Sequence, residues 1–258
     1  MRATRQMFLQ SPSIWYFDAV SSSLDVARLL IRDGRLSVWD SVIAASQTAG
    51  RGQMRRTWVS PRGNIYASLR LPLSHPFDTS AAAPAVGLLL AKALRQVVCP
   101  VMLKWPNDIV LKTDDALFKV GGILLEERGG VLIAGIGINV KSAPPADLMR
   151  REAAMSASFL ASSSALMPGA CLKPSELWQM LVMRMFSEYN SRADFSSTWR
   201  REAEAMLLWR NEPVEVRDGS QATFGELEGL GPDGGLLLRH DGLCDEFFCG
   251  DLHPGVRF

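Results

Sequence analysis

The sequence predicts an α+β fold, in which a mixed sheet flanked by helices is followed by a small β-barrel-like module. Up to about residue 210, short strand-like segments are interspersed with helical segments. After Asn211 the pattern changes to short alternating runs separated by glycine turns, as in "PVEVRDG" and "LLLRHDG". We therefore expect two domains, residues 1–210 and residues 211–258. The second is too small for us to assume that it is stable alone.

The first part of the chain predicts a strand, a helix and two more strands. Aromatic and β-branched residues indicate a strand in "SIWYFDAV". The segment "SSSLDVARLLIRDG" has apolar residues at helical spacing, with Ser22 or Ser23 as its N-cap and Gly34 at its end. "SVIAAS" is expected to be a short buried strand, and "NIYASLRLP" alternates as a sheet strand does.

The middle of the chain predicts a helix and then four strands. Residues 82–98 form an amphipathic pattern, and Pro84 is tolerated because it falls in the first turn. Four strand-like pieces follow, divided by Pro, Asp or Gly: "VMLKWP", "DIVLK", "VGGILLEE" and "GVLIAGIGINV". From Pro144 to Gly169 we expect a helix and a loose connection. Two further helices are predicted, one opened by Pro174 and one from about Asp194 to Trp209.

The charge distribution favours a local anion site over a nucleic-acid surface. The net charge is only +1, so the chain lacks the overall basic field that is typical of nucleic-acid binders. Yet the stretch from Ser41 to Phe77 has no acidic residue. It contains five arginines: Arg51, Arg55, Arg56, Arg62 and Arg70. We expect no nucleic-acid partner and a basic site confined to this stretch.

Cysteine spacing and hydropathy exclude several other classes. The four cysteines form no CxxC pair and have no histidine at zinc spacing, so we expect reduced thiols and no metal site. The N-terminal segment has no uninterrupted apolar run of the kind found in secretory signals. The longest apolar run contains Lys92 and Arg95 and is too short to span a bilayer. We expect a cytoplasmic protein with no membrane partner.

The segment "GRGQMRRTW" (Gly50–Trp58) is the first candidate for chemistry. Gly50 and Gly52 would let the backbone approach a ligand closely and adopt a positive φ. Arginine offers a permanently charged planar fork for phosphate or carboxylate, and Trp58 offers a flat face for an aromatic base. An ordinary exposed loop with a core tryptophan would have the same composition, so both interpretations stay open at this point.

Three other segments place polar groups at strand ends. Lys104 follows an apolar strand in "KWPND", and Lys119 precedes Gly121 and Gly122 in "KVGGILLEE". Asn139 ends the apolar strand of "GIGINV", where its amide needs partners. A lysine that reaches solvent and an asparagine in a turn are the simpler interpretations. None of the glycine segments is a dinucleotide fingerprint or a Walker A sequence.

Taken together and in this order, these pieces resemble the catalytic core of the biotin protein ligases. The matching segments are "SQTAGRGQMRRTWVSPRGNIYAS" (Ser46–Ser68), "KWPND", "KVGGILLE" and "GIGINV". The tail, with "GELEGLGPDGGLLL" and "GD", is similar to the SH3-like C-terminal module of that family. The resemblance covers about residues 13–258. It implies a class II synthetase-like biotin- and ATP-binding core followed by an SH3-like barrel.

The resemblance also implies an activity and its participants. Family members make biotinyl-5′-AMP from biotin, ATP and Mg²⁺, and then transfer biotin to one lysine of a biotin carboxyl carrier domain. Lys104, Arg51 and Lys119 match the family's catalytic cations, and Trp58 matches its adenine-stacking residue. The remaining binding positions carried over are Ser22, Ser23, Gln47, Gly50, Gly52, Arg56, Asn107, Gly121, Gly122 and Asn139.

This sequence departs from the family pattern in two places. Leu24 stands where an asparagine is usual, which removes a polar contact to the ureido ring of biotin. Gln53, Met54 and Arg55 stand where the family loop has Arg-Arg-Gly, which predicts a weaker grip on biotinyl-AMP.

Two other functions stay open from the sequence. One is a lipoate or octanoate ligase or transferase of the related fold, and the other is a non-catalytic biotin- or nucleotide-binding module. Only a short segment precedes the first predicted strand, so we expect no DNA-binding winged helix and no repressor role. For the oligomeric state, we expect a monomer or a homodimer.

Overall fold

The computed structural model describes residues 11–114, 116–145, 155–191 and 195–255. It is an α+β fold, as predicted, with a large mixed sheet and a second antiparallel sheet. The strands of the large sheet are β1 (Ile14–Val20), β2 (Ser41–Gln47), β3 (Ile65–Leu71), β4 (Met102–Lys104), β5 (Asp108–Lys112), β6 (Leu117–Arg128), β7 (Val131–Ile138) and β8 (Ser156–Ala157). The helices are α1 (Ser23–Arg32), α2 (Ala82–Val97), α3 (Pro174–Ser191) and α4 (Phe195–Glu204).

The large sheet has the strand order β1-β2-β3-β7-β6-β5-β4, and β8 pairs with β6 outside this path. β1 and β2 are parallel because α1 connects them as a crossover. The neighbours from β2 to β4 are antiparallel. This order places β6 and β7, with their glycines, at the middle of the sheet. The loop between β2 and β3 therefore leaves the sheet beside them.

Helices cover both faces of the large sheet. α1 packs on one face through Leu24, Ala27 and Leu30, which form a core cluster with Val42 and Ile133. α2 packs on the other face, where α3 and α4 lie against it. α2 was expected to be amphipathic, but it is buried on almost every side because it lies between the sheet and these two helices. None of the described helices has the length and apolarity needed to span a bilayer.

The second sheet runs through the C-terminal part of the chain and has the order β12-β11-β10-β9-β13. Its strands are β9 (Pro213–Asp218), β10 (Gln221–Leu230), β11 (Leu236–His240), β12 (Leu243–Phe247) and β13 (Asp251–Pro254). It shares the main hydrophobic core, since Val214, Leu227 and Leu252 belong to the same cluster as α2. The Trp105 indole also donates to the Gly234 carbonyl at 3.0 Å. The domain boundary at residue 210 stays a prediction.

One predicted element differs from the structure, and another lies largely outside the described residues. The helix expected at the start of the stretch from Pro144 to Gly169 falls mainly on residues 146–154, which lie outside the described part; the loose connection expected after it contains β8 and a one-turn 3₁₀ helix (Leu160–Ser162). The last helix ends at Glu204 and not near Trp209, because the chain here leaves the helix to pair with β4: Leu103 donates to the Met206 carbonyl and accepts from Leu208.

Candidate functional site

One cavity of about 1050 Å³ lies where the β2–β3 loop, the middle of the large sheet and the second sheet meet. Its walls come from α1, from the loop, from the glycine strands β6 and β7 and from β13. Most of the side chains that the sequence singles out line it. The volume is close to the upper limit of about 1,000 Å³ that is usual for small-molecule sites.

Close packing in the β2–β3 loop requires glycine at position 50 but not at position 52. A Cβ added at Gly50 would lie 2.5 Å from the Trp58 carbonyl oxygen and 2.7 Å from Ser60 Oγ, so no side chain fits there. Gly52 has room for a Cβ, and its φ is −116°. The expectation of positive φ at these glycines was wrong. Within Gly50–Trp58 the residue in the left-handed conformation is Met54, with φ 53°, in the one-turn 3₁₀ helix Gln53–Arg55.

Trp58 lies on the two glycines of the neighbouring strands. A Cβ at Gly137 would be 2.5 Å from its Cε2, and a Cβ at Gly122 would be 3.2 Å from its Cζ3. The Lys119 ammonium is 5.7 Å from the ring centroid, within range of a cation–π contact. The buried Trp58 Nε1 has no hydrogen-bond partner among the described residues. The ring is thus a platform at the cavity wall with one unsatisfied donor.

Arg51 is held by carboxylates. Its guanidinium makes a bidentate pair with Asp25 of α1, with N–O distances of 2.8 and 3.0 Å, and its Nε lies 3.5 Å from Glu126 Oε1. Glu126 also pairs with Arg28. The hydrogen bond and charge of Arg51 keep the pKa of Asp25 below its ordinary value. These contacts fix the guanidinium at the cavity wall, where it is half-buried.

Lys104 and Lys119 meet at one carboxylate. Lys104, 3% exposed at the end of β4, has its Nζ 2.9 Å from Asp251 Oδ1 and 3.8 Å from Asp108 Oδ2. Lys119 Nζ lies 2.5 Å from Asp108 Oδ1, an ion pair that lacks the alignment of a hydrogen bond. A buried ammonium needs a compensating charge, and here both ammoniums have one. Two cations are therefore held side by side on the cavity wall.

A hydrogen-bonded polar cluster lies at the N-terminus of α1. Gln47 accepts from the Ser23 backbone N–H at 2.8 Å and donates to Ser60 Oγ at 3.0 Å. The Ser68 hydroxyl donates to Ser23 Oγ at 2.8 Å. Ser22 occupies the N-cap position, but its side chain makes no capping hydrogen bond. The cluster thus orients Gln47 and Ser23 toward the cavity, which Ser22 also lines.

The wall next to this cluster is apolar. Leu24 is 3% exposed and packs over Gly135 of β7, where a Cβ would lie 3.1 Å from Leu24 Cδ1. Tyr66 and Ile136 line the same cavity. Burial raises the pKa of Tyr66 to about 12, and its hydroxyl donates to the Pro61 carbonyl at 2.7 Å. The end of the cavity near α1 therefore presents a few polar groups beside an apolar surface.

Both predicted asparagines make hydrogen bonds to the backbone. Asn107 donates to the Ile123 carbonyl at 2.7 Å, and Asn139 donates to the Ser158 carbonyl at 3.0 Å. These bonds tie β4–β5 to β6, and β7 to the segment after β8. Both residues line the cavity.

The second sheet contributes charged groups that the sequence did not single out. Arg217, Asp251 and His253 line the cavity, as do the exposed residues Phe248 and Cys249. His253 is 7% exposed, with its Nε2 3.6 Å from Asp251 Oδ2. Burial, more than any other cause, lowers the pKa of His253. The cavity thus joins both sheets. Within the described residues, no group of three or more His, Cys, Asp or Glu residues could hold a metal ion.

This geometry suits a ligand with an apolar, hydrogen-bonding end and an anionic end. Comparisons with known proteins agree. Residues 19–142 match the biotin/lipoate A/B protein ligase family. The chain is 30% identical over 239 residues to the bifunctional ligase/repressor BirA of Escherichia coli, covering 87% of this chain and 69% of that protein. The chain belongs to the biotin protein ligase family.

Other biotin protein ligases extend the comparison. The biotin–[acetyl-CoA-carboxylase] ligase of Paracoccus denitrificans is 29% identical over 221 residues, covering 79% of this chain and 84% of that protein. A biotin protein ligase from Aquifex aeolicus in complex with biotin and ATP has a TM-score of 0.73 at 26% identity, covering 93% and 97% of the two chains. One from Leishmania major in complex with biotinyl-5-AMP has a TM-score of 0.61 at 28% identity, covering 92% and 99%.

The structure brings the predicted site residues to one cavity, with two exceptions. Gly50 and Gly121 do not line it: Gly50 lies behind Trp58, and Gly121 packs against Ile109 and the Gly137 carbonyl. The positions that do line it are Ser22, Ser23, Gln47, Arg51, Gly52, Arg56, Trp58, Lys104, Asn107, Lys119, Gly122 and Asn139. Sequence reasoning missed the acidic partners of the cations. The aspartate of "KWPND" and that of the late "GD" were the available signals.

Proposed function

We propose that this chain is an ATP-dependent biotin protein ligase that forms biotinyl-5′-AMP and then transfers biotin to a lysine of a biotin carboxyl carrier domain. The observation that carries the proposal is the pair of ammonium groups, Lys104 and Lys119, held together on the wall of a ligand-sized cavity. A binding module for biotin alone has no use for two such cations.

The first half-reaction explains why cations are needed. An oxygen of the biotin carboxylate forms a bond to the α-phosphorus of ATP, and the bond to the departing pyrophosphate breaks. Both reactants are anions, and negative charge builds on the phosphoryl oxygens. Lys104 and Lys119 supply fixed positive charge, and Arg51, held by Asp25 and Glu126, adds a further permanent positive charge at the cavity wall. Losing one such group typically costs about 10²–10³ in rate.

The remaining roles are assigned from the family resemblance and from the place of each residue in the cavity. We assign adenine stacking to Trp58, whose face lines the cavity, and pyrophosphate contact to the exposed Arg56. The polar cluster around Gln47 and Ser23 is assigned to the ureido ring. Mg²⁺ would accompany the ATP phosphates and would be held chiefly by them, since no group of three or more His, Cys, Asp or Glu among the described residues could hold it. A cytoplasmic location, the boundary at residue 210 and a monomeric or homodimeric state stay predictions.

One observation favours a second candidate. Leu24 gives the acid-binding end an apolar wall where an asparagine is usual, and a lipoyl or octanoyl chain needs no hydrogen bonds there. A lipoate or octanoate ligase is therefore the alternative against which biotin is tested.

The experiment is pyrophosphate exchange into ATP with biotin, lipoate or octanoate as the acid. We expect exchange that requires biotin and falls about 10²–10³-fold in Lys104→Ala. Lys112→Ala, an exposed lysine on neighbouring β5, is the matched control and should leave exchange unchanged. Exchange that requires lipoate or octanoate would move the assignment to the alternative. No exchange with any of the acids would reject adenylation.

A further inference from the structure

Lys104 and Asp251 join the two sheets inside the cavity. Lys104 ends β4 of the large sheet, and Asp251 begins β13 of the second sheet. They are 147 positions apart in the chain, and Lys104 Nζ lies 2.9 Å from Asp251 Oδ1. The ammonium is buried, while the Asp251 side chain is partly exposed to the cavity. The proposed catalytic lysine thus takes its nearest carboxylate from the other sheet.

The backbone holds the Asp251 carboxylate in place. Asp251 is paired in register with Arg217 of β9, and the next positions pair Leu252 with Val216 and His253 with Glu215. Leu252 is fully buried in the shared core, which anchors the strand. Because burial lowers the pKa of the neighbouring His253, that imidazole is mainly neutral at pH 7. It therefore adds little positive charge beside the pair.

Asp108 is the second carboxylate near Lys104. Its Oδ2 is 3.8 Å from the ammonium, while its Oδ1 already pairs with Lys119 at 2.5 Å. If Asp251 were removed, the remaining attraction would draw the Lys104 ammonium toward Asp108 and thus toward Lys119. The observed position of the ammonium is therefore a balance between the attractions of two carboxylates.

We infer that Asp251 is a positioning residue of the adenylation site, which holds the Lys104 ammonium where the anionic groups of the reactants meet. The inference rests on the proposed function. Asp251 acts through Lys104 and carries no step itself, so it is not a catalytic residue. The second sheet then contributes to the chemistry, because it fixes one of the two cations. A misplacement of about 1 Å at such a group can cost about a hundredfold in rate.

The test compares biotin-dependent pyrophosphate exchange in Asp251→Asn, Asp251→Ala and Asp251→Glu. We expect rates about tenfold lower for D251N and up to about a hundredfold lower for D251A, with partial rescue by D251E. D245N and D245A on β12 make the same chemical changes in the same sheet, at a residue paired with His240 and outside the cavity lining. These controls should match the unmodified protein. If thermal unfolding shows that D251A does not fold, the exchange rate of the isosteric D251N variant decides the test.

A double-mutant cycle separates positioning from general support of the fold. In a Lys104→Ala background, Asp251→Ala should lower single-turnover formation of biotinyl-AMP less than twofold, because the group it positions is gone. An equal loss in both backgrounds, or an exchange rate in D251N and D251A that is unchanged or raised, would overturn the inference. Absence of exchange in the unmodified protein would instead reject the proposed function.

Discussion

The Trp58 indole occupies the space that a side chain at Gly137 would need. A Cβ at that position would be 2.5 Å from Cε2 and 2.6 Å from Cζ2 of the ring. A Cβ at Gly122, on the adjacent strand, would be 3.2 Å from Cζ3 of the ring, which is a less severe contact. The two glycines belong to β7 and β6, which pair directly at these residues. The glycines of "KVGGILLEE" and "GIGINV" thus leave space for the side chain of a tryptophan in the β2–β3 loop.

Gly137→Ala should displace Trp58 and lower both stability and adenylation. Overpacking of this kind costs about 1–3 kcal/mol, and it is aggravated here because the contact is with a rigid ring. Gly122→Ala should cost less, because a contact of 3.2 Å can be relieved by a small shift. Urea unfolding and pyrophosphate exchange measure the two effects. Equal costs for the two variants would show that the ring is not the obstacle.

The fold was largely predictable from local pattern. The strands at Ile14–Val20 and Ser41–Gln47 and the helix between them carry their own signals in residue type and spacing. The burial of α2 on almost every side is different, since it depends on α3 and α4, whose docking no local pattern encodes. The same holds for the early end of α4, which follows from hydrogen bonds between its C-terminal continuation and β4.

Gly50 and Gly52 should differ sharply in how well they tolerate alanine. Gly50→Ala would push against the Trp58 carbonyl, Ser60 and Gln47, and so disturb the polar cluster at α1; we expect destabilisation of about 1–3 kcal/mol and weaker biotin binding. Gly52→Ala should leave the free energy of unfolding nearly unchanged, because its nearest neighbour is at 3.7 Å and its φ suits alanine. Urea unfolding and calorimetric titration with biotin measure both. Similar losses of stability would contradict the contacts described.

The cationic site residues could be identified from the sequence more readily than the carboxylates that pair with them. Lys104, Lys119 and Arg51 could be singled out because a cation beside apolar strands or glycines needs an anion. Their partners Asp251 and Asp25 are far away in the chain, so sequence spacing gives no sign of the pairing. The positive φ at Met54 was missed because glycine, and not methionine, is the usual residue in that conformation.

Arg51→Lys should fail to restore the function of Arg51. The guanidinium binds both oxygens of Asp25 and approaches Glu126 at the same time, which a single ammonium cannot reproduce. We expect pyrophosphate exchange to fall about 10²-fold, close to the loss in Arg51→Ala. Arg62→Lys is the matched control, since Arg62 pairs with Asp18 in an exposed position and such pairs contribute little. Full activity of Arg51→Lys would mean that charge alone is required.

His253 should make the protein less stable in mildly acidic solution. Burial lowers the pKa of His253, so the folded state resists a proton that the unfolded chain accepts below about pH 6.5. Proton uptake therefore favours unfolding: the free energy of unfolding falls as pH drops below that value, and the loss levels off below the pKa of the folded state. His253→Gln removes this contribution. As the pH is lowered from 7.5 to 5.5, the free energy of unfolding of His253→Gln should therefore fall less than that of the unmodified protein. Urea unfolding at both pH values measures the difference, with His240→Gln as the control for losing an imidazole elsewhere in the second sheet. Identical pH dependence of His253→Gln and the unmodified protein would show that the buried imidazole does not resist protonation in the folded state.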